Sequence, residues 1–140
     1  MNNKVNEKEE LEIFLKTLET ERCIWRGIAR RKLFVVDSKK DRNIGKTISL
    51  KNIAESIDVK VLVDSPRKAK LLNEGHRTDV FIGQSKDLDG MDNFEVLIDE
   101  GIDFKELDRT KNVKVIGGIY SVDTARYITF RDRDVVSLEL

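Results

Sequence analysis

The stretch "LFVVDSKKDRNIGKTISLKNIAESI", Leu33 to Ile57, decides the fold. Its first residues form a short apolar run with the composition of a buried strand. A charged loop follows, and Gly45-Lys46-Thr47 then opens a segment, residues 46–57, that reads as a helix. A strand leading through a polar loop into a helix is the first half of a β-α-β unit. The remaining chain repeats that alternation.

Working outward, "VKVLVDS" (59–65), "TDVFIG" (78–83), "FEVLIDE" (94–100) and "VKVIGGIYS" (113–121) read as further strands. Their apolar residues are continuous rather than alternating, which predicts a sheet buried on both faces. A helix from Pro66 to about Glu74, stopped by Gly75, and a short helix over 103–110 lie between them. Helical connections between consecutive strands imply right-handed crossovers and a mainly parallel sheet. The tail "RDRDVVSLEL" (131–140) is expected to add a last edge strand.

Upstream, residues 5–31 have helical spacing. Leu11, Phe14, Leu15 and Leu18 fall on one face, Ile24, Trp25 and Ile28 extend or follow the stripe, and Gly27 is a weak point. The expected fold is therefore α/β, a mainly parallel sheet sandwiched by helices, with an N-terminal helical extension over 1–31 and the α/β domain over 32–140.

Length and composition bound the function. A chain of 140 residues with 39% hydrophobic and 37% charged residues builds one well-solvated domain. No apolar run is long enough to span a bilayer, and the polar start "MNNKVNEKEE" does not resemble a secretory leader. A single cysteine, Cys23, forms no internal disulfide, and with one histidine it builds no zinc site. A cytoplasmic setting with no membrane contact is the expectation.

Net charge is formally zero, but its distribution is uneven. From Arg22 to Lys46 nine basic residues (Arg22, Arg26, Arg30, Arg31, Lys32, Lys39, Lys40, Arg42, Lys46) face two acids, Asp37 and Asp41. Such a block is either a footprint for nucleic acid or a solvated helix face.

In a parallel sheet ligands sit beyond the carboxyl ends of the strands, where the loop ending in Gly45 lies. A helix start there offers unpaired N–H groups and a positive dipole end, both favourable to phosphate. The Gly45-Lys46-Thr47 run resembles the Walker A motif of the P-loop NTPases, with the first glycine of that pattern replaced by Lys40. "FEVLIDE" resembles the Walker B motif of the branch whose catalytic glutamate directly follows the metal-binding aspartate.

The resemblance runs from Leu33 to Ser121 and implies a RecA-like three-layer fold that binds Mg²⁺ and ATP. It implies that Asn43, Ile44, Gly45, Lys46 and Thr47 bind the nucleotide and that Thr47 and Asp99 hold the metal. Glu100 would activate water as general base and Lys46 would assist at the phosphates. "VLVDSPRKAKLL" (61–72) resembles a segment of helicases and DNA-packaging ATPases of phage or mobile-element type. There Ser65, Pro66 and Arg67, with Lys68 and Lys70 alongside, would touch nucleic acid; otherwise they are a proline-started helix with a basic first turn.

In that branch Ser121 or Tyr120 would stand where a γ-phosphate sensor is placed, and Arg126, Arg131 or Arg133 could supply an arginine finger. The resemblance thus implies a small ATP hydrolase serving a nucleic-acid process as a homo-oligomer or beside a larger protein. The alternative is a degenerate scaffold that binds nucleic acid or a protein without turnover. A receiver-like domain, with Asp37, Asp64 and Asp99 as an acidic rim, fits less well because each strand carries one acid. Trp25 is expected to pack on the core, Cys23 to be buried, and His76 to lie in a loop near a helix end.

Overall fold

A computed structural model of the chain describes residues 3–37 and 44–121, with side chains from residue 7 onward. The elements are α1 (Asn3–Arg30), β1 (Phe34–Val36), α2 (Lys46–Ile57), β2 (Lys60–Val63), α3 (Pro66–His76), β3 (Phe81–Gly83), a 3₁₀ turn (Lys86–Gly90), β4 (Phe94–Ile98), α4 (Phe104–Arg109) and β5 (Val113–Ser121). The five strands form one sheet in the order β1-β5-β4-β2-β3, and every pairing is parallel. The expected strand at 131–140 lies outside the described residues.

The strand order explains the layers. The chain moves one way across the sheet from β1 to β2 to β3, then reverses through β4 to β5. Right-handed crossovers put helices on opposite faces when the direction reverses. Ile24, Leu50, Ile53, Ala54 and Ala69, from α1, α2 and α3, accordingly pack with Val36, Val61, Val63, Phe81, Leu97 and Ile119 on one face. Leu88, Ile102 and Phe104, from the 3₁₀ turn and the α4 region, pack with Leu62, Val96, Ile98 and Tyr120 on the other.

Successive strand residues thus feed opposite cores, as the two-residue period of a strand requires. Val61, Leu62, Val63, Val96, Leu97 and Ile98 are each 0% exposed. Each contributes about 1.5–3 kcal/mol by leaving water, so β2 and β4 are the centre of the fold. Among the described residues no helix is long and apolar enough to cross a membrane.

Helix α1 runs unbroken through Gly27, which is a point of close approach rather than a break. A Cβ there would lie 2.5 Å from the Lys32 carbonyl, because the chain doubles back over the helix end. Arg31 takes the left-handed conformation, φ 58°, and Lys32 N–H donates to the Gly27 carbonyl at 2.8 Å. The second half of α1 belongs to the body: Ile24 is buried, and the Ile28 side chain lies where a Cβ on Gly117 of β5 would stand. Residues 7–16 are all exposed, and the face carrying Leu11, Phe14, Leu15 and Leu18 touches no core among the described residues.

Four side-chain expectations are corrected. Gly75 does not stop α3. Its Cβ position is open space, so the helix continues to His76 and ends where Arg77 turns left-handed, φ 51°. His76 therefore closes the helix, its ring 5.8 Å from that of Phe81. Cys23 is only partly covered, near Glu19, because it points off the buried side of α1. Trp25 is exposed beside the buried Ile24 for the same reason.

Candidate functional site

The start of α2 is built by a glycine and by α1. Gly45 has φ 71°, a left-handed conformation that glycine adopts without penalty. A Cβ there would also fall 2.2 Å from Thr17 Oγ1. Thr20 Oγ1 donates to the Ile44 carbonyl at 2.7 Å, and Ser49 Oγ donates to the Thr17 carbonyl at 3.2 Å. Gly45 is thus required by backbone conformation and by the packing of α1, whether or not phosphate binds.

Gly45 brings no side chain to cap α2, and no other described residue caps it. By contrast, Ser65 Oγ accepts from Lys68 N–H at the start of α3, and the Asp103 carboxylate accepts from Lys105 and Glu106 N–H at the start of α4. Among the described residues the α2 terminus therefore keeps its positive dipole end without a side-chain acceptor, the arrangement that favours an anion.

The other half of the site ends β4. Asp99 is 2% exposed, with its N–H donating to the Leu62 carbonyl at 3.0 Å and its Oδ1 accepting from Glu100 N–H at 2.8 Å. Burial pushes the Asp99 carboxyl above its ordinary value, opposed chiefly by the positive charge of Lys68. Glu100 reaches α2: its Oε1 lies 2.9 Å from Lys46 Nζ, with the two side chains 25% and 14% exposed. The structure therefore joins the residues of the two motifs, although β5 separates β1 from β4 in the sheet.

The position follows from topology. From β4 the chain steps toward β5, and from β2 it steps the opposite way to β3, so the loops after these neighbouring strands diverge. In a parallel sheet the carboxyl ends of strands whose connections diverge in this way are the usual place for a ligand. Asp64 ends β2 there, and a Cβ on Gly101 would stand 3.7 Å from its Oδ2. Ser65 and Pro66 open α3 at the same edge, which is why the Lys68 charge acts on Asp99. One surface cleft of about 720 Å³, lined by Lys51, Glu55, Asn73 and His76, lies instead toward the opposite ends of α2 and α3 and brings none of these groups together.

Of the residues expected from sequence, Gly45, Lys46, Asp99 and Glu100 converge; Ile44 precedes the turn with its carbonyl held by Thr20, and Thr47 is the second residue of α2. Asn43, Lys39, Lys40, Asp41, Arg42 and the three candidate finger arginines lie outside the described residues. Tyr120 is buried on the α4 face, and Ser121 is buried at the end of β5 beside Val36. Among the described residues no group of three acidic, histidine or cysteine side chains could hold a metal by itself. Sequence reasoning missed Thr17 and Thr20, and it set Lys68 toward nucleic acid rather than near Asp99. The first two share one face of α1 with Ile24 at helical spacing, the available clue.

The burial of Asp99 gives a prediction. Its folded-state pKa is raised, so the ionised carboxylate destabilises the folded chain. That penalty is absent below the unfolded value near 3.8 and is complete once pH passes the raised folded value. Asp99→Asn is expected to raise ligand-free stability at neutral pH, a gain that fades as pH falls toward 3.8. Thermal melts of both proteins from pH 3.5 to 7.5 check the sign.

A scan of the chain against protein-family models found no match, and neither did searches of curated proteins and of solved structures.

Proposed function

We propose that the chain is a Mg²⁺-dependent P-loop NTPase that binds and hydrolyses ATP in a nucleic-acid process. The observation that carries this reading is the 2.9 Å contact between Lys46 at the start of α2 and Glu100 at the end of β4. It brings an ammonium, a helix terminus that no described side chain caps and a pair of consecutive acids to one edge of a parallel sheet.

The donor set suits a hard cation. Thr47 and Asp99 offer only oxygen, and Mg²⁺ binds through one or two carboxylates with water and phosphate oxygens completing its shell. When bound, the ion would neutralise charge on the phosphates; Thr47 and Asp99 would hold it. The α2 N–H groups and Lys46 would bind the phosphates. In the free protein the Lys46 ammonium faces Glu100, whereas a triphosphate competes for that ammonium. Glu100, a quarter exposed, would take the proton from the attacking water.

Calorimetric titration of Mg²⁺-ATP tests this. Wild type should bind, and Lys46→Ala should weaken affinity by about tenfold or more, the loss of one charged contact of about 1.5–3 kcal/mol. Absence of binding at millimolar nucleotide contradicts the proposal.

A second reading rests on the same pair. Lys46 and Glu100 neutralise each other, and Arg22, Arg26, Arg30, Arg31 and Lys32 are exposed, with the basic first turn of α3 elsewhere on the surface. A chain using these groups would be an interaction module. It would bind DNA or RNA with an affinity that falls steeply with salt and ignores ATP.

A further inference from the structure

The first half of α1 presents an apolar stripe that joins neither core cluster among the described residues. Leu11, Phe14, Leu15, Leu18 and Trp25 are 56%, 57%, 54%, 46% and 38% exposed. At about 100° per residue they span roughly a quarter to a third of the helix circumference, centred on Leu18. The buried Thr20 and Ile24 mark the body side, about 160° and about 120° from Leu18 around the helix. Five large apolar side chains on one face, over about four turns, form a seam for another helix rather than scattered surface residues.

The charges beside the seam specify what fits. From Glu7 to Glu21 there are six acids and two bases; from Arg22 to Lys32 there are five bases and no acid. A parallel copy would set acidic half against acidic half. An antiparallel copy sets each acidic half against a basic one. Leu11 and Trp25 are each seven residues from Leu18. Centring the pair on Leu18 therefore places Leu11 opposite Trp25 and brings Glu12 of each copy within reach of Arg26 of the other. Residues 7–16 project beyond the body, so the two bodies would lie toward opposite ends of the helix pair.

We propose that α1 pairs antiparallel with α1 of a second copy of this chain, with Leu18 at the two-fold axis. Thr17 and Thr20 of the same helix hold the Gly45 turn, so the pairing would also brace the start of α2. The dimer does not depend on nucleotide binding and can be tested separately.

The test uses the full chain. Sedimentation velocity over a range of concentrations should show a monomer–dimer equilibrium for wild type. Leu18→Glu, which sets two carboxylates at the axis, should weaken dimerisation by about tenfold or more while leaving the circular dichroism spectrum unchanged. In a Cys23→Ser background, Leu18→Cys should form a disulfide with itself. Leu11→Cys should cross-link to Trp25→Cys and not to itself. A wild type that stays monomeric at all concentrations overturns the proposal, including the case in which residues 122–140 cover the stripe. Self-cross-linking of Leu11→Cys as the main product indicates a parallel pair and overturns it as well.

Discussion

Replacing Glu100 by glutamine is expected to lower ATP turnover by about 10²–10⁴-fold, the range for removing a positioned general base. Mg²⁺-ATP affinity should stay the same or tighten. The amide keeps the shape of the side chain and can still accept a hydrogen bond from Lys46, now without opposite charge. Lys46 is then released more readily to the phosphates, since its 2.9 Å partner in the free protein is the group being neutralised. The expected signature is therefore lost phosphate release with preserved binding, read by a phosphate assay beside calorimetry. Normal hydrolysis by this variant would remove Glu100 from its assigned role.

The second large effect is structural. Gly118 sits in β5 opposite Ile98 of β4, with φ 132°. A Cβ there would stand 2.2 Å from the Ile98 carbonyl oxygen and 2.5 Å from its nitrogen, both backbone atoms. Gly118→Ala combines a backbone conformation that side chains avoid with an overlap that rotamer changes cannot relieve. The expected cost is about 2–6 kcal/mol, a large part of the about 5–15 kcal/mol that holds such a domain folded. Because Ile98 immediately precedes Asp99, the same change would displace the acids of the candidate site. Gly75→Ala is the control of opposite sign: it lies inside α3 with open space around it and should stabilise by about 0.5–1 kcal/mol. Urea unfolding of the two variants should move the midpoint in opposite directions.

Local chemistry was legible in the sequence wherever a neighbour decided it. The bounds of α2 at Lys46 and Ile57 follow from Gly45 and the apolar spacing, and α3 begins where Ser65 can cap and Pro66 can open a helix. The continuous apolar runs of β2 and β4 announced burial on both faces. Contacts between distant segments were not legible. The end of α3 is set by Asn73, whose side chain bonds the backbone of Phe81, and not by Gly75. Gln84 and Asp103 tie their loops by reciprocal bonds of 2.9 and 2.8 Å, which no local pattern signals.

For the candidate site, two motifs at two strand ends could be named, but their meeting depended on strand order. The grip of Thr17 and Thr20 on the Gly45 turn depended on where α1 docks. The exposed stripe on α1 has the spacing of a buried one, and periodicity does not say which surface a helix face meets.

Phosphate is proposed to bind where α2 begins and β4 ends. Amide resonances followed during Mg²⁺-ATP addition test it most directly. Gly45, Lys46, Thr47 and Glu100 should shift first and most, and Lys46→Ala should reduce the shifts. Shifts confined to other surfaces, or none at millimolar nucleotide, would contradict it and leave Gly45 as the turn that α1 requires.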